Sequence, residues 1–171
     1  TNFDVPNNYS GLILPGVGNF DPAIRSIRDY SSISFQEFVK DRMPVLGICL
    51  GMEMFFEKSE EGKEKGLAAI DGDVVLLPNK FKIPHMGWNS LKIKKSNPLL
   101  DGIEDNSWVY FVHSYRVKPK NNDVIVADSD YGIEVPAIVY KNNLYGTQFH
   151  PEKSGKIGSI MIKNFLRECN K

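Results

Sequence analysis

The sequence has few cysteines, no excess of charge and no long apolar run, and each shortage excludes a class of protein. Its two cysteines lie far apart in 171 residues, which excludes a disulfide framework and fits a reducing cytoplasm. Lysine plus arginine equal aspartate plus glutamate, at 21 each, so no nucleic-acid partner is expected. No apolar run approaches the roughly 18 residues of a membrane span, and the first residues lack a signal-peptide pattern.

Histidine is also scarce, which limits the possible metal sites. The candidate ligands would be Cys49, His85, His113 and His150. No pair of them has the short Cys-x-x-Cys or His-x-x-x-His spacing of a zinc site, so no metal is expected. The segment "GVGNFD" carries only part of the dinucleotide-binding glycine pattern, and no second cysteine lies near Cys49 for redox work. The sequence therefore predicts no cofactor.

The first third of the chain alternates predicted strands and helices. "GLILPG" is typical of a short buried strand, followed by a helix capped at Asp21 and a second helical piece over residues 34–42. "PVLGI" predicts the next strand, and a further helix is expected over residues 50–59. This alternation predicts parallel strands joined by right-handed crossovers.

The middle of the chain is rich in short strand candidates, and the end is helical. Valine, isoleucine and aromatic residues cluster in six segments separated by Asn and Gly: 72–78, 90–95, 107–115, 123–130, 136–143 and 144–150. Apolar residues at helical spacing predict a final helix over residues 155–168. With 42% hydrophobic residues and no linker, residues 1–171 are expected to form one α/β domain with a strand-rich insertion.

A cysteine lies between two glycines where the "PVLGI" strand passes into a helix. In this Gly-x-Cys-x-Gly turn, Gly47 and Gly51 avoid collisions that a Cβ atom would cause, and Cys49 stands at the apex. The helix that follows would direct its free N–H groups at the sulfur and lower the pKa of the thiol. A buried structural cysteine in a tight turn is the alternative interpretation.

Two other segments bear on that choice. His150 and Glu152 are two positions apart across Pro151, so that the carboxylate can orient the imidazole. The glycines of "LPGVGNF" expose backbone N–H groups that can bind an anion. A solvated surface pair and an ordinary turn are the respective alternatives.

Five segments, in this order, resemble the class I (triad) glutamine amidotransferases, and within them the glutaminase subunits of imidazole glycerol phosphate synthase: "LPGVGNF", "GICLGME", "IPHMGWN", "YFVHSY" and "QFHPEKSG". The resemblance covers the chain from about residue 11 to its end. It implies a flavodoxin-like α/β fold, with a mixed or mostly parallel open sheet flanked by helices and an antiparallel strand-rich insertion. Only about ten residues precede the strand that leads into "LPGVG", so the first strand and helix of the family are expected to be missing.

The resemblance also implies site residues. It assigns the catalytic triad to Cys49, His150 and Glu152, and the oxyanion hole to Gly16, Val17, Gly18 and Leu50. Substrate contacts are implied for Gly51, Glu53, His113, Ser114 and Tyr115. Contacts with a partner are implied for Trp88, Tyr110 and Lys153, with core packing as the alternative for the two aromatic residues. Family members usually carry glutamine where this chain has Glu53, which cannot donate a hydrogen bond when ionised.

The implied activity is hydrolysis of L-glutamine to glutamate and ammonia. The implied partner is a (β/α)8-barrel cyclase subunit, which forms a cytoplasmic heterodimer with the glutaminase and uses the ammonia to make imidazole glycerol phosphate in histidine biosynthesis. Two alternatives remain open. One is a related subunit that aminates sugars for surface polysaccharides, and the other is a catalytically impaired binding partner.

Overall fold

The computed structural model describes residues 9–30, 35 and 43–171, and its central element is a six-stranded mixed sheet. The strand order is β1-β2-β11-β10-β9-β6. The pairs β1/β2 and β2/β11 are parallel, whereas β11/β10, β10/β9 and β9/β6 are antiparallel. The predicted α/β architecture with a mixed sheet is confirmed.

The described elements alternate in the first third and are mostly strands afterwards. The helices are α1 (Phe20–Tyr30), α2 (Leu50–Glu53) and α3 (Gly155–Cys169), with three short 3₁₀ helices at Pro98–Leu100, Asn122–Val124 and Pro151–Lys153. The strands are β1 (Leu12–Leu14), β2 (Val45–Ile48), β3 (Lys58–Ser59), β4 (Gly72–Leu76), β5 (His85–Ser90), β6 (Lys92–Ile93), β7 (Trp108–His113), β8 (Tyr115–Pro119), β9 (Ile125–Asp130), β10 (Glu134–Lys141) and β11 (Leu144–Thr147).

Strand β2 lies between β1 and β11, and this position determines where the functional loops meet. Every residue of β2 and of β11 is buried, as the apolar runs in the sequence predict. Because the three strands are parallel, their carboxyl ends share one edge of the sheet. The loops after Leu14, Ile48 and Thr147 therefore leave from the same edge, although they are far apart in sequence.

Two smaller sheets form the predicted strand-rich insertion, and their pairs are antiparallel except for the parallel pair β3/β4. Strands β5 and β7 pair over their full length, with His85 opposite His113 and Trp88 opposite Tyr110. A second sheet has the order β3-β4-β8. The residue between β7 and β8 is Ser114, and this connection brings the insertion to the edge of the main sheet where the loops meet.

Apolar side chains pack on both faces of the main sheet. Met161 and Phe165 of α3 join Phe111 and Phe149 in one cluster. Phe55 and Phe56 join side chains from β4 and β8 in another. Each of these phenylalanines is at most 1% exposed, and full burial of such a side chain contributes about 1.5–3 kcal/mol.

Some predicted element boundaries were wrong. The helix after Cys49 ends at Glu53 instead of continuing to residue 59, because the carbonyls of Met54, Phe55 and Phe56 accept hydrogen bonds from residues 67–70 instead. Helix α1 begins at Phe20, so Asp21 lies inside its first turn. The second helical piece lies outside the described residues except for Phe35, and β5 was not predicted.

Candidate active site

Cys49 occupies a sharp turn between β2 and α2. Its backbone has φ 53° and ψ −111°, a left-handed conformation that is uncommon for a residue with a side chain. Its N–H donates to the Thr147 carbonyl at 2.7 Å, which anchors the turn to β11. Backbone strain of this kind concentrates at functional sites, where the surrounding structure holds it.

The two glycines beside this turn are required by close backbone approach. A Cβ atom on Gly47 would lie 2.7 Å from the backbone of Gly51, and one on Gly51 would lie 1.9 Å from the carbonyl oxygen of Leu14. The steric reason predicted from the sequence is therefore confirmed. Gly16 also packs against this turn, since its Cβ would lie 2.6 Å from the Gly51 nitrogen.

His150 follows β11 and is paired with Glu152. Its Nδ1 lies 2.7 Å from Glu152 Oε1. The backbone of His150 is held on both sides, because its N–H donates to the Tyr110 carbonyl and its carbonyl accepts from Ser154 Oγ. The imidazole is 2% exposed, and its Nε2 is buried with no hydrogen-bond partner among the described residues.

One cavity of about 330 Å³ contains both the thiol and the imidazole. Its wall includes residues from four segments: Gly16, Val17 and Gly18; Cys49, Leu50 and Glu53; Val112, His113, Ser114 and Tyr115; and His150, together with Glu61 and Pro84. This volume falls in the range of roughly 300–1,000 Å³ that is typical of small-molecule sites. The structure thus brings together residues 49 and 150 at the edge where adjacent parallel strands end.

The thiol of Cys49 is neutral in the free protein. Burial, and to a smaller extent the nearby Glu53 carboxylate, raise its pKa to about 12. The Leu50 N–H and the Gln148 side chain act in the opposite direction but do not outweigh burial. The sequence-based expectation of a lowered pKa was therefore wrong, since α2 spans only four residues and Cys49 is only 9% exposed.

Glu53 and Gln148 form a buried pair beside the thiol. Gln148 Nε2 lies 3.0 Å from Glu53 Oε1 and 3.9 Å from Cys49 Sγ. Glu53 is 4% exposed, and burial raises its pKa to about 7 despite the hydrogen bond from Gln148. The charge of Glu53 therefore changes near neutral pH, within the wall of the cavity.

The family of the chain is decided by its match to a known sequence model. The model described as glutamine amidotransferase class-I matches residues 3–169. The chain belongs to the class I glutamine amidotransferases. The cavity contains Cys49 and also His150, whose Nδ1 is engaged by Glu152.

Several relatives share about half of their aligned residues with this amidotransferase chain. The imidazole glycerol phosphate synthase subunit HisH of Methanocaldococcus jannaschii is 51% identical over 156 residues, covering 91% of this chain and 79% of its own length. The subunit of the same name from Caldanaerobacter subterraneus subsp. tengcongensis is 51% identical over 160 residues, covering 92% and 79%.

Two solved structures share the fold at lower identity. A structure titled glutamine amidotransferase has a TM-score of 0.71 at 17% identity, covering 95% of this chain and 80% of its own. A chain in the structure of PurLQS from Thermotoga maritima has a TM-score of 0.68 at 15% identity, covering 91% and 78%. These similarities support the amidotransferase fold alone.

The other residues expected at the site of this amidotransferase are placed as follows. Gly51 is buried and packs against Leu14 behind the cavity wall, and it does not line the cavity. Trp88 is 52% exposed and meets Tyr110 edge to face, with ring centroids 5.9 Å apart, so core packing does not describe it. Lys153 is exposed in the 3₁₀ helix after His150.

Sequence reasoning missed four members of the site, of which Pro84 only lines the cavity. Gln148 carries the contact between Glu53 and Cys49, and its place in the "TQFHPE" segment two residues before His150 is the signal that could have identified it. Glu61 lines the cavity and accepts a hydrogen bond from the Phe20 N–H at 2.9 Å. Val112 contributes a carbonyl 3.9 Å from the Cys49 sulfur, and no sequence signal points to it.

A larger cavity of about 610 Å³ lies elsewhere, between α3 and the 3₁₀ helix Pro98–Leu100. Two of its cationic side chains are paired, Arg167 with Asp101 and Lys171 with Glu168. Its wall contains neither a histidine nor a cysteine. It therefore offers neither a thiol nor an imidazole.

The described residues hold neither a candidate metal site nor a membrane-spanning helix. Both cysteines are free thiols. Residues 9–30, 35 and 43–171 contain no group of three or more His, Cys, Asp or Glu side chains arranged to hold a metal ion. In the same residues no helix has the length and hydropathy needed to cross a membrane.

Proposed function

We propose that this chain hydrolyses L-glutamine to glutamate and ammonia through Cys49, His150 and Glu152, as the glutaminase subunit of a two-chain synthase. The observation that carries the proposal is the shared cavity. It holds the thiol of Cys49 and the imidazole of His150, while His150 Nδ1 is engaged by Glu152 and Nε2 lacks a partner among the described residues.

The first half of the reaction forms a thioester. Because the pKa of the Cys49 thiol is raised, its proton leaves as the sulfur attacks the carboxamide carbon, and His150 Nε2 accepts it. The new oxyanion is stabilised by backbone N–H groups of Leu50 and the Gly16–Gly18 loop, which line the same cavity. His150 then protonates the departing nitrogen, which leaves as ammonia.

The second half releases glutamate. His150, neutral again, removes a proton from a water molecule that attacks the thioester carbon. The carbon–sulfur bond breaks, and the proton returns from the imidazolium to the Cys49 sulfur. The Glu152 carboxylate stabilises the imidazolium in both halves, because it holds Nδ1–H and leaves Nε2 to exchange protons.

The cavity wall supplies charges that suit an amino acid substrate. Glu61 lines the cavity and can attract the α-ammonium group of glutamine. The backbone of His113, Ser114 and Tyr115 forms the facing wall and offers hydrogen bonds to the rest of the substrate. Of the two carboxylates that raise the pKa of the thiol, Glu53 and Glu152, Glu53 has the larger effect, and it limits rather than assists thiolate formation.

A synthase partner follows from the chemistry of the product. Ammonia released into neutral water becomes ammonium, which is not a nucleophile, so it must pass directly to an acceptor site. The relatives are named as subunits of imidazole glycerol phosphate synthase, which supports a (β/α)8-barrel cyclase partner and a role in histidine biosynthesis. Two free cysteines fit a cytoplasmic setting.

The partner is proposed to dock on the outer face of β5 and β7. Met86, Trp88 and Trp108 are 61%, 52% and 58% exposed on this face, and such aromatic residues dominate binding at protein interfaces. The face is close to the site, since the Tyr110 carbonyl accepts the hydrogen bond from the His150 N–H. Lys153 is exposed three residues after His150.

A second candidate is a protein of the same fold whose glutaminase activity is weak. The observation that favours it is the buried Glu53 carboxylate, which raises the pKa of the Cys49 thiol in addition to burial. Such a protein would bind the cyclase and release little glutamate.

One assay separates the two candidates. Glutamate release is measured for the wild type and for Cys49→Ala, each with and without the cyclase subunit of an imidazole glycerol phosphate synthase. We expect release from the wild type to exceed that from Cys49→Ala by at least about 10³-fold in the complex. Equal, slow release from both proteins under both conditions would instead support the weakly active candidate.

A further inference from the structure

Two buried histidines, whose imidazoles the proposed mechanism does not use, face each other across β5 and β7. His85 begins β5, His113 ends β7, and the two are opposite one another in the strand register. They are 3% and 5% exposed, and His85 Nδ1 lies 2.9 Å from His113 Nε2. A hydrogen bond between two imidazoles requires one ring to donate and the other to accept. Each proton of this pair therefore occupies a definite ring nitrogen.

The direction of the hydrogen bond between the two imidazoles follows from the other contact of His113. His113 Nδ1 lies 2.6 Å from the Tyr115 carbonyl, which can only accept, so Nδ1 carries the proton. His113 Nε2 is then the acceptor of the neutral ring. The hydrogen bond from His85 must come from its Nδ1–H.

The contacts of Asn89, on the other side of His85, agree with this assignment. Asn89 Oδ1 accepts from the Ser90 N–H at 2.8 Å, and Asn89 Nδ2 donates to the Asp130 carbonyl at 2.9 Å, which fixes the orientation of the amide. The second hydrogen on Nδ2 points to His85 Nε2, 3.3 Å away, which accepts it. One unbroken chain of hydrogen bonds therefore runs from Asn89 through both imidazoles to Tyr115.

The surroundings keep both rings neutral. His85 lies between the rings of Phe111 and Tyr131, with centroid distances of 4.6 and 3.9 Å. Burial lowers the pKa of His85 to about 4 and that of His113 to about 3. The charges of His85 and His150 contribute to the lowered pKa of His113, whereas its hydrogen bond to the Tyr115 carbonyl acts in the opposite direction. An added proton would place two N–H groups against each other.

The Tyr115 end of this chain of hydrogen bonds forms part of the candidate active site. His113, Ser114 and Tyr115 line the cavity that contains Cys49 and His150. We propose that His85 is a positioning residue for glutamine hydrolysis, which acts through His113 to hold the 113–115 segment of the cavity wall against the substrate. This inference rests on the proposed function for its substrate, but the proton arrangement can be tested without it.

The first test determines which nitrogen of each imidazole carries the proton in the wild-type protein. Long-range ¹⁵N–¹H NMR correlations distinguish the two neutral forms of histidine from the imidazolium. We expect both His85 and His113 to carry their proton on Nδ1, with none on Nε2, throughout the range from pH 8 to pH 5. A proton on Nε2 of either ring in that range would overturn the proposal.

The second test removes only the donor. His85→Phe keeps a ring between Phe111 and Tyr131, whereas His85→Asn keeps an N–H donor at the position of Nδ1. We expect His85→Phe to raise the KM for glutamine about tenfold with a smaller effect on kcat, because His113 Nε2 is left without a donor. His85→Asn should restore KM to within about threefold of the wild type.

The outcomes separate the inference from the proposed function. An unchanged KM in a folded His85→Phe, or equal defects in the Phe and Asn variants, would overturn the positioning role. A wild type that releases no glutamate would overturn the proposed function instead. If His85→Phe fails to fold, the NMR measurement on the wild type still decides whether the proton chain exists.

Discussion

Gln148 donates a hydrogen bond of 3.0 Å to Glu53 in the wall of the candidate active site. The same amide nitrogen lies 3.9 Å from the Cys49 sulfur, so the charge of Glu53 and the reactivity of the thiol are linked through one side chain. This arrangement makes Glu53 the residue whose replacement is most informative about the site.

Replacement of Glu53 by glutamine should make the thiol more acidic. Because the carboxylate raises the pKa of Cys49, Glu53→Gln is expected to lower the midpoint of a plot of alkylation rate against pH. The amide can donate as well as accept, so KM for glutamine should also fall. Iodoacetamide kinetics and a glutaminase assay measure the two effects. An unmoved alkylation profile together with an unchanged or higher KM would contradict this account of Glu53.

Glu53 should also cost stability at high pH. Its pKa of about 7 in the folded protein exceeds the ordinary value of 4.5, so the folded state holds the proton more tightly and loses stability as pH rises between these values. Each pH unit corresponds to about 1.4 kcal/mol.

We therefore expect Glu53→Gln to be more stable than the wild type by about 3 kcal/mol at pH 8, with no advantage below pH 4.5. Urea unfolding at several pH values measures the difference, and the exposed Glu104→Gln serves as the control. A difference between Glu53→Gln and the wild type that does not vary with pH would show that ionisation is not its source.

Glu152 should act through the imidazole rather than on the substrate. Its carboxylate accepts a hydrogen bond from His150 Nδ1 at 2.7 Å and does not line the cavity. Glu152→Gln is expected to lower kcat for glutamine by about 10²- to 10⁴-fold, because the imidazolium loses its counter-charge. KM should change far less than kcat. Steady-state kinetics measure both, and a loss confined to KM would place Glu152 in substrate binding instead.

Part of this fold and site could be predicted from the sequence. The buried runs of β2 and β11 and the Gly-x-Cys-x-Gly turn are local patterns, and they placed Cys49 at a strand end correctly. The pairing of His150 with Glu152 depends on residues two apart, so it was also accessible.

Other features depend on tertiary packing. The raised pKa of Cys49 follows from burial under the insertion and from the position of Glu53, neither of which spacing along the chain reveals. The early end of α2 follows from hydrogen bonds to residues 67–70. Likewise, the link between His85 and His113 joins positions 28 apart that only the β5/β7 register brings together.

Trp88 should contribute strongly to partner binding. It is 52% exposed on the outer face of β5 and contacts Tyr110. Trp88→Ala is expected to weaken binding to the cyclase by about tenfold or more, as truncation of an aromatic hot spot does. Leu166→Ala, which removes an exposed apolar side chain from α3, is the matched control. Calorimetry gives both dissociation constants, and equal affinities for the two variants would place the interface elsewhere.

The most direct test of the central claim is to identify the residue that a glutamine-analogue electrophile modifies covalently. The protein is treated with a glutamine-analogue electrophile, with and without excess L-glutamine, and the modified residue is identified by mass spectrometry. The account predicts modification of Cys49, protection by glutamine, and little reaction at Cys169, the other free thiol. Equal modification of Cys49 and Cys169, unaffected by glutamine, would contradict the proposal that Cys49 is the nucleophile of a glutamine site.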